Sequence, residues 1–325
     1  MSSSIAIDVQ GLGKSYDGVK AVDNLSLTVH EGEIFGLLGP NGAGKSTTLR
    51  ILITTLKPTS GTAKIFGRDV VEEADTVRRL IGYVPQERAI DRFLTGREHL
   101  LLLADLYHLK KDEARTRIDS LLKLVSLEEH ADRVAKGYSG GMKRKLDIAC
   151  GLLPNPKVLF LDEPTLGLDV QSRLNIWEYV RQLRDQGITI VMTTNYLDEA
   201  DQLCDRLAII DRGQIRAIGS PKDLKAGLGG DGVWLTLGDP TPQALEKLTT
   251  ALKRLPYVRA ITPREQGLDV RVDGPEKALP AILEIAGKVE CRLDGIEYHR
   301  PRLDDVFVAH TGRSMKDDLQ ESSSD

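Results

Sequence analysis

The residues at 39–46 have the types and the order of a phosphate-binding loop. They read Gly-Pro-Asn-Gly-Ala-Gly-Lys-Ser, which fills every position of the pattern G-x-x-x-x-G-K-[S/T]. In such a loop the glycines let backbone N–H groups converge on phosphate oxygens, the lysine reaches the β- and γ-phosphates, and the hydroxyl ligates Mg²⁺. We therefore expect Lys45 and Ser46 to bind ATP together with its Mg2+ ion. The predicted nucleotide-binding residues of this segment are Gly39, Pro40, Asn41, Gly42, Ala43, Gly44, Lys45, Ser46 and Thr47.

The sequence on either side of the loop favours this interpretation over an ordinary glycine-rich turn. A short apolar run at 33–38 precedes the loop and is typical of a buried parallel strand. A helical pattern follows from Lys45 to Leu56 and stops before Pro58. Strand, loop and helix thus occur in the order that a P-loop requires, and the helix N-terminus would add its partial positive charge to the site.

Two adjacent carboxylates follow a second apolar run, at 157–161. Ligands collect beyond the carboxyl ends of buried parallel strands, where Asp162 and Glu163 would lie. Asp162 is predicted to hold Mg²⁺ through water, as the corresponding acid does in other P-loop nucleotidases. Glu163 is predicted to be the catalytic base that polarises the attacking water. A chance pair of acids in a loop is the alternative, and the P-loop upstream argues against it.

A third segment, at 138–142, reads Tyr-Ser-Gly-Gly-Met and precedes a helical pattern at 143–153. It resembles the signature of the ABC (ATP-binding cassette) ATPases, usually written LSGGQ, with different residues at the first and last positions. The resemblance implies that this segment contacts the phosphates of ATP bound to a second copy of the chain. The residues that it assigns to the signature are Ser139, Gly140, Gly141 and Met142.

Three basic residues occupy the first turn of the helix that follows the signature. Lys143, Arg144 and Lys145 carry positive charge where the helix dipole is already positive, an arrangement that costs stability. Such a violation is typical of functional sites, so the three residues are predicted to form an anion site. A solvated basic face is the alternative.

Three further positions match the ABC ATPase pattern, which extends from Ile5 to about Leu224. The resemblance implies that Tyr16 stacks on adenine, although a tyrosine there, taken alone, is more often a core residue. It implies that Gln86 senses Mg²⁺ and contacts a membrane partner. It places Asp169, in Leu-Gly-Leu-Asp, at the seam of a dimer.

One position departs from that pattern. The family normally has a histidine in Thr-Thr-His-Tyr-Leu-Asp-Glu-Ala, whereas the segment at 193–200 has Asn195 in its place. An amide donates a hydrogen bond to a γ-phosphate, but it carries no positive charge and shuttles no proton. We expect Glu163 and Lys45 to sustain turnover, with Asn195 as a third catalytic residue. The alternative is a degenerate cassette that binds ATP as a structural switch.

The elements that must position these residues indicate two domains. From residue 1 to 226, strand-like runs alternate with helical patterns, as in an α/β layer structure. The resemblance implies a P-loop NTPase (ABC ATPase) core with a mixed sheet and a helical subdomain inserted at about 88–137. A glycine-rich linker at 227–232 leads to a small α+β domain at 233–312, and the polar segment at 313–325 is predicted to be disordered. The small domain is predicted to have strands at 233–237, 258–261, 268–272, 289–293 and 296–298 and helices at 241–255, 275–286 and 303–310.

The C-terminal region narrows the resemblance. Arg-Leu-Asp-Asp-Val-Phe-Val at 302–308, followed by Thr311 and Gly312, resembles the C-terminal motif of the daunorubicin-resistance type (DrrA-like) ATPases. Those proteins serve ABC-2 exporters of antibiotics, lipids and polysaccharides. A helix that packs its apolar face on its own domain would explain the same residues, and both readings are compatible.

Composition constrains the partners. The chain has 44 basic and 48 acidic residues, a net charge of −4, so a nucleic-acid partner is not expected. No apolar run approaches the length of about 18 residues that a membrane span needs, and the N-terminus has no signal peptide. We therefore expect a homodimer, peripheral on the cytoplasmic side of the membrane, that drives a separate transmembrane permease. A soluble ABC protein that acts on ribosomes or DNA is the alternative.

Overall fold

The computed structural model describes residues 4–87, 89–238, 241–264, 267–289 and 291–315. They divide into two compact units, one over 4–221 with Met315 and one over 222–314. The segment predicted to be disordered lies, from residue 316 onward, outside the described residues. No helix within the described ranges is both long and apolar enough to cross a lipid bilayer.

The first unit contains two sheets. Its strands are β1 (Ile5–Tyr16), β2 (Val19–His30), β3 (Ile34–Leu38), β4 (Ser60–Ile65), β5 (Arg68–Asp69), β6 (Ile81–Val84), β7 (Val158–Asp162), β8 (Thr189–Thr194), β9 (Arg206–Asp211) and β10 (Gln214–Gly219). One sheet has the order β10-β9-β3-β8-β7-β6 and is parallel except for β10, so it is mixed as predicted. The other has the order β2-β1-β4-β5 and is antiparallel.

The parallel part of the mixed sheet brings the predicted site residues to one edge. Every residue of β3, β7 and β8 is buried, as expected for apolar and β-branched strands covered on both faces. The register pairs Leu38 with Thr194, and Asp162 with Thr193. The carboxyl ends of β3, β7 and β8 therefore lie side by side, and the segments that follow them meet.

The helices of the first unit are α1 (Lys45–Leu52), α2 (Ala74–Arg78), α3 (Gly96–Leu106), α4 (Lys111–Leu124), α5 (Gly140–Leu152), α6 (Val170–Asp185) and α7 (Leu197–Leu203). Helix α1 contacts β2 and β4 of one sheet and β7 and β8 of the other, so it lies between the sheets. Its buried Leu49 belongs to the same apolar cluster as Leu25 and Phe160. The helix ends earlier than predicted because Thr54 adopts a left-handed backbone, with φ 66°, and the N–H groups of Thr54 and Thr55 bond to the last free carbonyls.

Helices α3, α4 and α5 lie between β6 and β7 in the sequence and pack against one another. Helix α3 begins at a capping box, in which the Thr95 hydroxyl accepts a hydrogen bond from the Glu98 N–H and the Glu98 carboxylate accepts one from the Thr95 N–H. Two short 3₁₀ helices, Glu128–His130 and Ala135–Gly137, connect α4 to α5. Helices α3 and α4 lie within the range predicted for the inserted subdomain, 88–137, whereas α5 begins after it, at Gly140.

The second unit has a four-stranded antiparallel sheet of order β12-β13-β11-β14. The elements are α8 (Pro221–Ala226), β11 (Asp231–Leu237), α9 (Pro242–Leu252), β12 (Val258–Arg264), β13 (Gly267–Val272), α10 (Pro275–Lys288), β14 (Leu293–His299) and α11 (Leu303–Thr311). Helices α9 and α10 contribute Leu248, Leu252 and Ile282 to an apolar core that also contains Val233 and Val270 of the sheet.

Two predictions for this unit are wrong in detail. The strand predicted at 289–293 is misplaced: among its described residues, Val289 is the C-cap of α10, Leu293 begins β14, and Cys291 and Arg292 belong to no strand. A single strand, β14, takes the place of the two short ones. The last two residues of the predicted linker, Asp231 and Gly232, already belong to β11 and pair with β13.

Candidate nucleotide-binding site

The P-loop connects β3 to α1 with glycine where the backbone requires it. A Cβ atom at Gly39 would overlap the carbonyl oxygen of Ile210, so the chain approaches β9 more closely than any side chain permits. Gly44 has φ 103°, a conformation that L side chains rarely adopt, and caps the N-terminus of α1 without a side chain. The backbone N–H groups at this end of the helix are therefore free of any capping side chain.

The Lys45 side chain is folded back onto its own loop. It is only 5% exposed, and its Nζ donates to the carbonyl oxygens of Gly39 at 2.7 Å and Pro40 at 3.0 Å. Nζ also lies 3.7 Å from Oε1 of Glu163. Burial lowers the pKa of Lys45, and the carboxylates of Glu163 and Asp162 act in the opposite direction. An ammonium held this way retains donors that an anionic ligand could take over.

Asp162 and Glu163 lie beside the P-loop at the end of β7. The Ser46 hydroxyl donates to Oδ1 of Asp162 at 3.4 Å, and the Thr193 hydroxyl donates to the same oxygen at 2.5 Å. The Glu163 N–H donates to the Thr193 hydroxyl at 2.9 Å. Thr193 on β8 therefore holds the carboxylate of Asp162 and the backbone of Glu163. Glu163 has φ 44°, a strained conformation for a non-glycine residue that is typical of functional sites.

The Glu163 carboxylate is shared between two donors. Its Oε1 faces Lys45, and its Oε2 accepts a hydrogen bond from Nε2 of Gln86 at 3.2 Å. Burial raises the pKa of Glu163, while Lys45 lowers it. A partly buried carboxylate of raised pKa next to a phosphate-binding loop has the properties of a general base.

The signature segment begins α5. Ser139 is exposed and caps the helix, because its hydroxyl accepts a hydrogen bond from the Met142 N–H at 3.2 Å. A Cβ atom at Gly141 would come within 2.8 Å of the Ser172 hydroxyl on α6. Asp169 caps α6 by accepting from the N–H and the hydroxyl of Ser172, at 2.9 and 2.7 Å. The signature and the segment that contains Asp169 therefore touch through Ser172.

Comparisons with known proteins decide the family. Residues 22–166 match the family model described as ABC transporter. The chain is 43% identical to the daunorubicin/doxorubicin resistance ATP-binding protein DrrA of Streptomyces peucetius, over 98% of this chain and 96% of that protein. The chain belongs to the ABC transporter family. Proteins of this family bind and hydrolyse ATP, so the chain is an ATPase, and the family and enzyme class predicted from its motifs are confirmed.

Two further comparisons extend this result. The ABC ATPase is 39% identical to the Nod factor export ATP-binding protein I of Sinorhizobium fredii, over 97% of this chain and 88% of that protein. A solved dimeric cassette in a post-hydrolysis state, bound to ADP and Pi, matches with a TM-score of 0.59 at 28% identity, over 66% of this chain and 98% of that one. The predicted α/β P-loop fold is confirmed.

Two of the predicted site residues have exposed or unpartnered groups. Tyr16 ends β1 and is 43% exposed, with Nζ of Lys14 5.3 Å from its ring centre, so it is not a core residue of this ABC ATPase. Asn195 follows β8 directly, and its Oδ1 is buried and makes no hydrogen bond to any described residue. The ring of Tyr16 is therefore accessible to a ligand, and Oδ1 of Asn195 can accept a hydrogen bond.

The predicted anion site at 143–145 is wrong for Arg144. Its guanidinium is buried and donates to three carbonyl oxygens, those of Pro85 at 2.6 Å, Asp162 at 3.0 Å and Pro164 at 2.7 Å. Arg144 therefore ties the residues on either side of Glu163 to the residue before Gln86. The charge that opposes the dipole of α5 is offset by these three acceptors and by the buried carboxylate of Asp147, whose Oδ2 lies 3.9 Å from Nη1 of Arg144. The positive charge of Arg144 in the first turn of α5 does indicate a functional site, but its partners are backbone carbonyl oxygens and a carboxylate of the chain itself, and not a bound anion.

Sequence reasoning missed Glu199 on α7. Its carboxylate is fully buried, and Oε1 accepts hydrogen bonds from the Thr165 hydroxyl at 2.7 Å and from Nε1 of Trp177 at 3.0 Å. Burial raises the pKa of Glu199, against the hydrogen bonds that it accepts. The residue thus links the segment after Glu163 to the helices that follow Asp169 and Asn195. In the sequence it is indistinguishable from an ordinary acid in a first helical turn.

Proposed function

We propose that the chain is the ATP-hydrolysing subunit of an ABC-2 type exporter that moves a drug or antibiotic, a lipid or a polysaccharide. The observation that carries the proposal is that Lys45, Gln86, Asp162 and Glu163 meet at one edge of the sheet. The Glu163 carboxylate lies 3.2 Å from Nε2 of Gln86 and 3.7 Å from Nζ of Lys45. Similarity to a drug-resistance ATP-binding protein and a Nod factor export protein supports export as the direction of transport.

The residues of the P-loop fit Mg·ATP. A triphosphate would take over the Lys45 donors that now bond to Gly39 and Pro40. The Ser46 hydroxyl and the Asp162 carboxylate, 3.4 Å apart, are the hard oxygen ligands that Mg²⁺ prefers, one directly and one through water. Bound there, Mg²⁺ would neutralise charge on the β- and γ-phosphate oxygens. The exposed ring of Tyr16 supplies a stacking surface for adenine.

Hydrolysis then needs a base next to the γ-phosphate. The oxygen of a water molecule attacks the γ-phosphorus, its proton passes to Glu163, and the bond to the oxygen that bridges to the β-phosphate breaks to leave ADP and phosphate. Gln86 holds the Glu163 carboxylate in position until a water molecule takes the place of the Gln86 amide. Asn195 would donate a hydrogen bond to the γ-phosphate, which positions it without accepting a proton.

A second copy of the chain completes the site. The exposed Ser139 and the two glycines after it form the N-terminal end of α5. They are far in sequence from the P-loop of their own chain and would contact ATP held by a partner. A closed two-fold dimer is the simplest arrangement for one cassette per chain. Asp169, whose side chain already caps α6, would lie at the seam. The solved dimeric relative supports this arrangement.

The loop after Gln86 is the proposed contact with a separate permease, at the cytoplasmic face of the membrane. Phe93 in this loop is 67% exposed, and the loop leads directly into α3. An exposed aromatic side chain next to the residue that touches the proposed base gives a partner a route to the catalytic carboxylate.

Reconstitution tests the proposal. The chain is co-expressed with a candidate membrane permease, and daunorubicin uptake into inverted vesicles is followed with and without ATP. The proposal predicts ATP-dependent uptake or, for a different cargo, permease-dependent stimulation of phosphate release. Recovery of ribosomes or nucleic acid in place of a membrane protein would favour the soluble alternative. Tight ATP binding with no phosphate release would favour the switch that Asn195 suggests.

A further inference from the structure

The second unit contains a buried cluster of charged and titratable side chains that the ATPase site does not use. It consists of Asp269 and Arg271 on β13, His299 on β14 and Asp305 on α11. None of the four is more than 8% exposed. Strand alternation puts Asp269 and Arg271 on the face of the sheet opposite the apolar core. Gly232 of β11 lies between Arg271 and His299 and pairs with both of them.

Arg271 contacts one oxygen of each of the two carboxylates and leaves the other oxygen of each available. Its Nη2 lies 3.1 Å from Oδ2 of Asp269 and 3.3 Å from Oδ1 of Asp305. The other oxygen of each acid faces elsewhere. Oδ2 of Asp305 lies 3.5 Å from Nε2 of His299 and also accepts a hydrogen bond from the Arg302 N–H at 2.9 Å. Oδ1 of Asp269 makes no hydrogen bond to any residue in the described ranges.

His299 is the strongest sign of a missing ligand. Its ring is 8% exposed, yet neither Nδ1 nor Nε2 makes a hydrogen bond within the part of the chain that the structure describes. A buried polar group without a partner costs about 1–3 kcal/mol, so it indicates an ion or a water molecule. The ring is held in place by Trp234, with ring centres 4.2 Å apart, and by Gly232, where any Cβ would overlap it.

We propose that Asp269, His299 and Asp305 bind one first-row divalent transition-metal ion of the Zn²⁺ class. One ligand atom from each residue lies within 4.8 Å of the other two, and metal–ligand bonds of about 2 Å require only a modest contraction of that triangle. The imidazole selects a transition metal over Mg²⁺ or Ca²⁺. Arg271 is the outer group that holds both carboxylates in place.

Two unpartnered lone-pair atoms of the cluster are the groups that would bind a cation. Arg264 lies 3.9 Å from Oδ2 of Asp269, so Arg271 and Arg264 balance the two carboxylates and the net charge does not select the ligand. Oδ1 of Asp269 and the unprotonated ring nitrogen of a neutral His299 make no hydrogen bond within the described residues. A bound cation would join β13, β14 and α11. We therefore infer that the metal is structural: it fixes α11 on the sheet of the second unit, independently of ATP hydrolysis.

Metal titration of the full-length chain tests the site. Chelator-treated, nucleotide-free protein is titrated with Zn²⁺ against a competing chromophoric chelator, with millimolar Mg²⁺ present to occupy sites that prefer hard oxygen ligands. The wild type is expected to bind one Zn²⁺ in this way and to show a higher Tm in its presence. Asp269→Asn and His299→Gln are expected to weaken binding more than about tenfold. His310→Gln, an exposed histidine on α11, is the matched control and leaves affinity unchanged.

X-ray absorption of the Zn²⁺-loaded wild type gives an answer that does not depend on the folding of a variant. The proposal predicts one imidazole and oxygen ligands. Sulfur in the ligand shell would assign the metal to a cysteine and overturn the site. Wild type that binds no Zn²⁺ at one equivalent, or a tightly bound ion that survives both substitutions in folded protein, would also overturn it.

Discussion

Nε2 of Gln86 donates a hydrogen bond to Oε2 of Glu163 over 3.2 Å. This bond joins the loop that leads to the exposed Phe93 to the carboxylate that is proposed to activate water. Arg144 reinforces the connection, because it binds the carbonyl oxygens of Pro85 and Pro164, the residues next to Gln86 and Glu163. Two short paths of hydrogen bonds therefore connect the loop to the base.

Gln86→Ala is expected to lower kcat about tenfold or more, because a hydrogen bond to a charged group contributes about 1.5–3 kcal/mol. ATP affinity is expected to change little, since Gln86 touches the base rather than the P-loop. Phosphate release and nucleotide titration check the two quantities. Glu87→Ala, an exposed neighbour, is the control in the isolated chain. Equal loss of affinity and kcat would contradict this assignment.

Glu163→Gln is expected to bind ATP normally, to release no phosphate and to accumulate an ATP-dependent dimer. Glutamine has the shape of glutamate but accepts no proton, so the nucleotide would remain uncleaved between two copies. Size-exclusion chromatography with light scattering and a phosphate assay measure both effects. Lys45→Ala provides the contrast: loss of the ammonium is expected to weaken binding itself. Unchanged hydrolysis in Glu163→Gln would assign the base role to another group.

Arg144→Met is expected to lower the free energy of unfolding by about 3–5 kcal/mol, because three carbonyl oxygens lose their donor and the buried Asp147 loses its counter-charge. Any folded fraction should also lose kcat, since Pro85 and Pro164 are released. Lys143→Ala, one position earlier on α5, should stay within about 0.5 kcal/mol of the wild type. Urea unfolding measures both variants. A small effect for Arg144→Met would mean that water replaces the guanidinium.

The P-loop, the two acids and the signature could be predicted because glycine, lysine and carboxylate at fixed spacing have few other uses. The pairing of Gln86 with Glu163 could not, since it depends on how two strand ends converge. The strand predicted at 289–293 was misplaced because a short apolar run does not fix where a strand begins: α10 extends to its C-cap at Val289, and β14 begins only at Leu293. Arg144 and Glu199 were misread or missed because burial of a charge becomes visible only when its partners are assembled from distant segments.

Glu199 makes a prediction about pH. Burial raises its pKa in the folded chain above the value of 4.5 that it has when unfolded. Above pH 4.5 the unfolded state releases this proton before the folded state does, so the folded state binds more protons. By linkage, the contribution of Glu199 to the free energy of unfolding falls as pH rises, until the pH passes the folded-state pKa.

Glu199→Gln removes that titration while glutamine can still accept from Thr165 and Trp177. The free energy of unfolding of the variant minus that of the wild type is therefore constant below pH 4.5 and grows above it. Urea unfolding followed by the fluorescence of Trp177, in a Trp234→Phe background, reports on the first unit alone. The exposed Glu178→Gln on α6 is the matched control. A flat difference for Glu199→Gln would show that the buried carboxyl has its ordinary pKa. The hydrogen bonds from Thr165 and Trp177 would then be accepted by a charged carboxylate and not by a neutral acid.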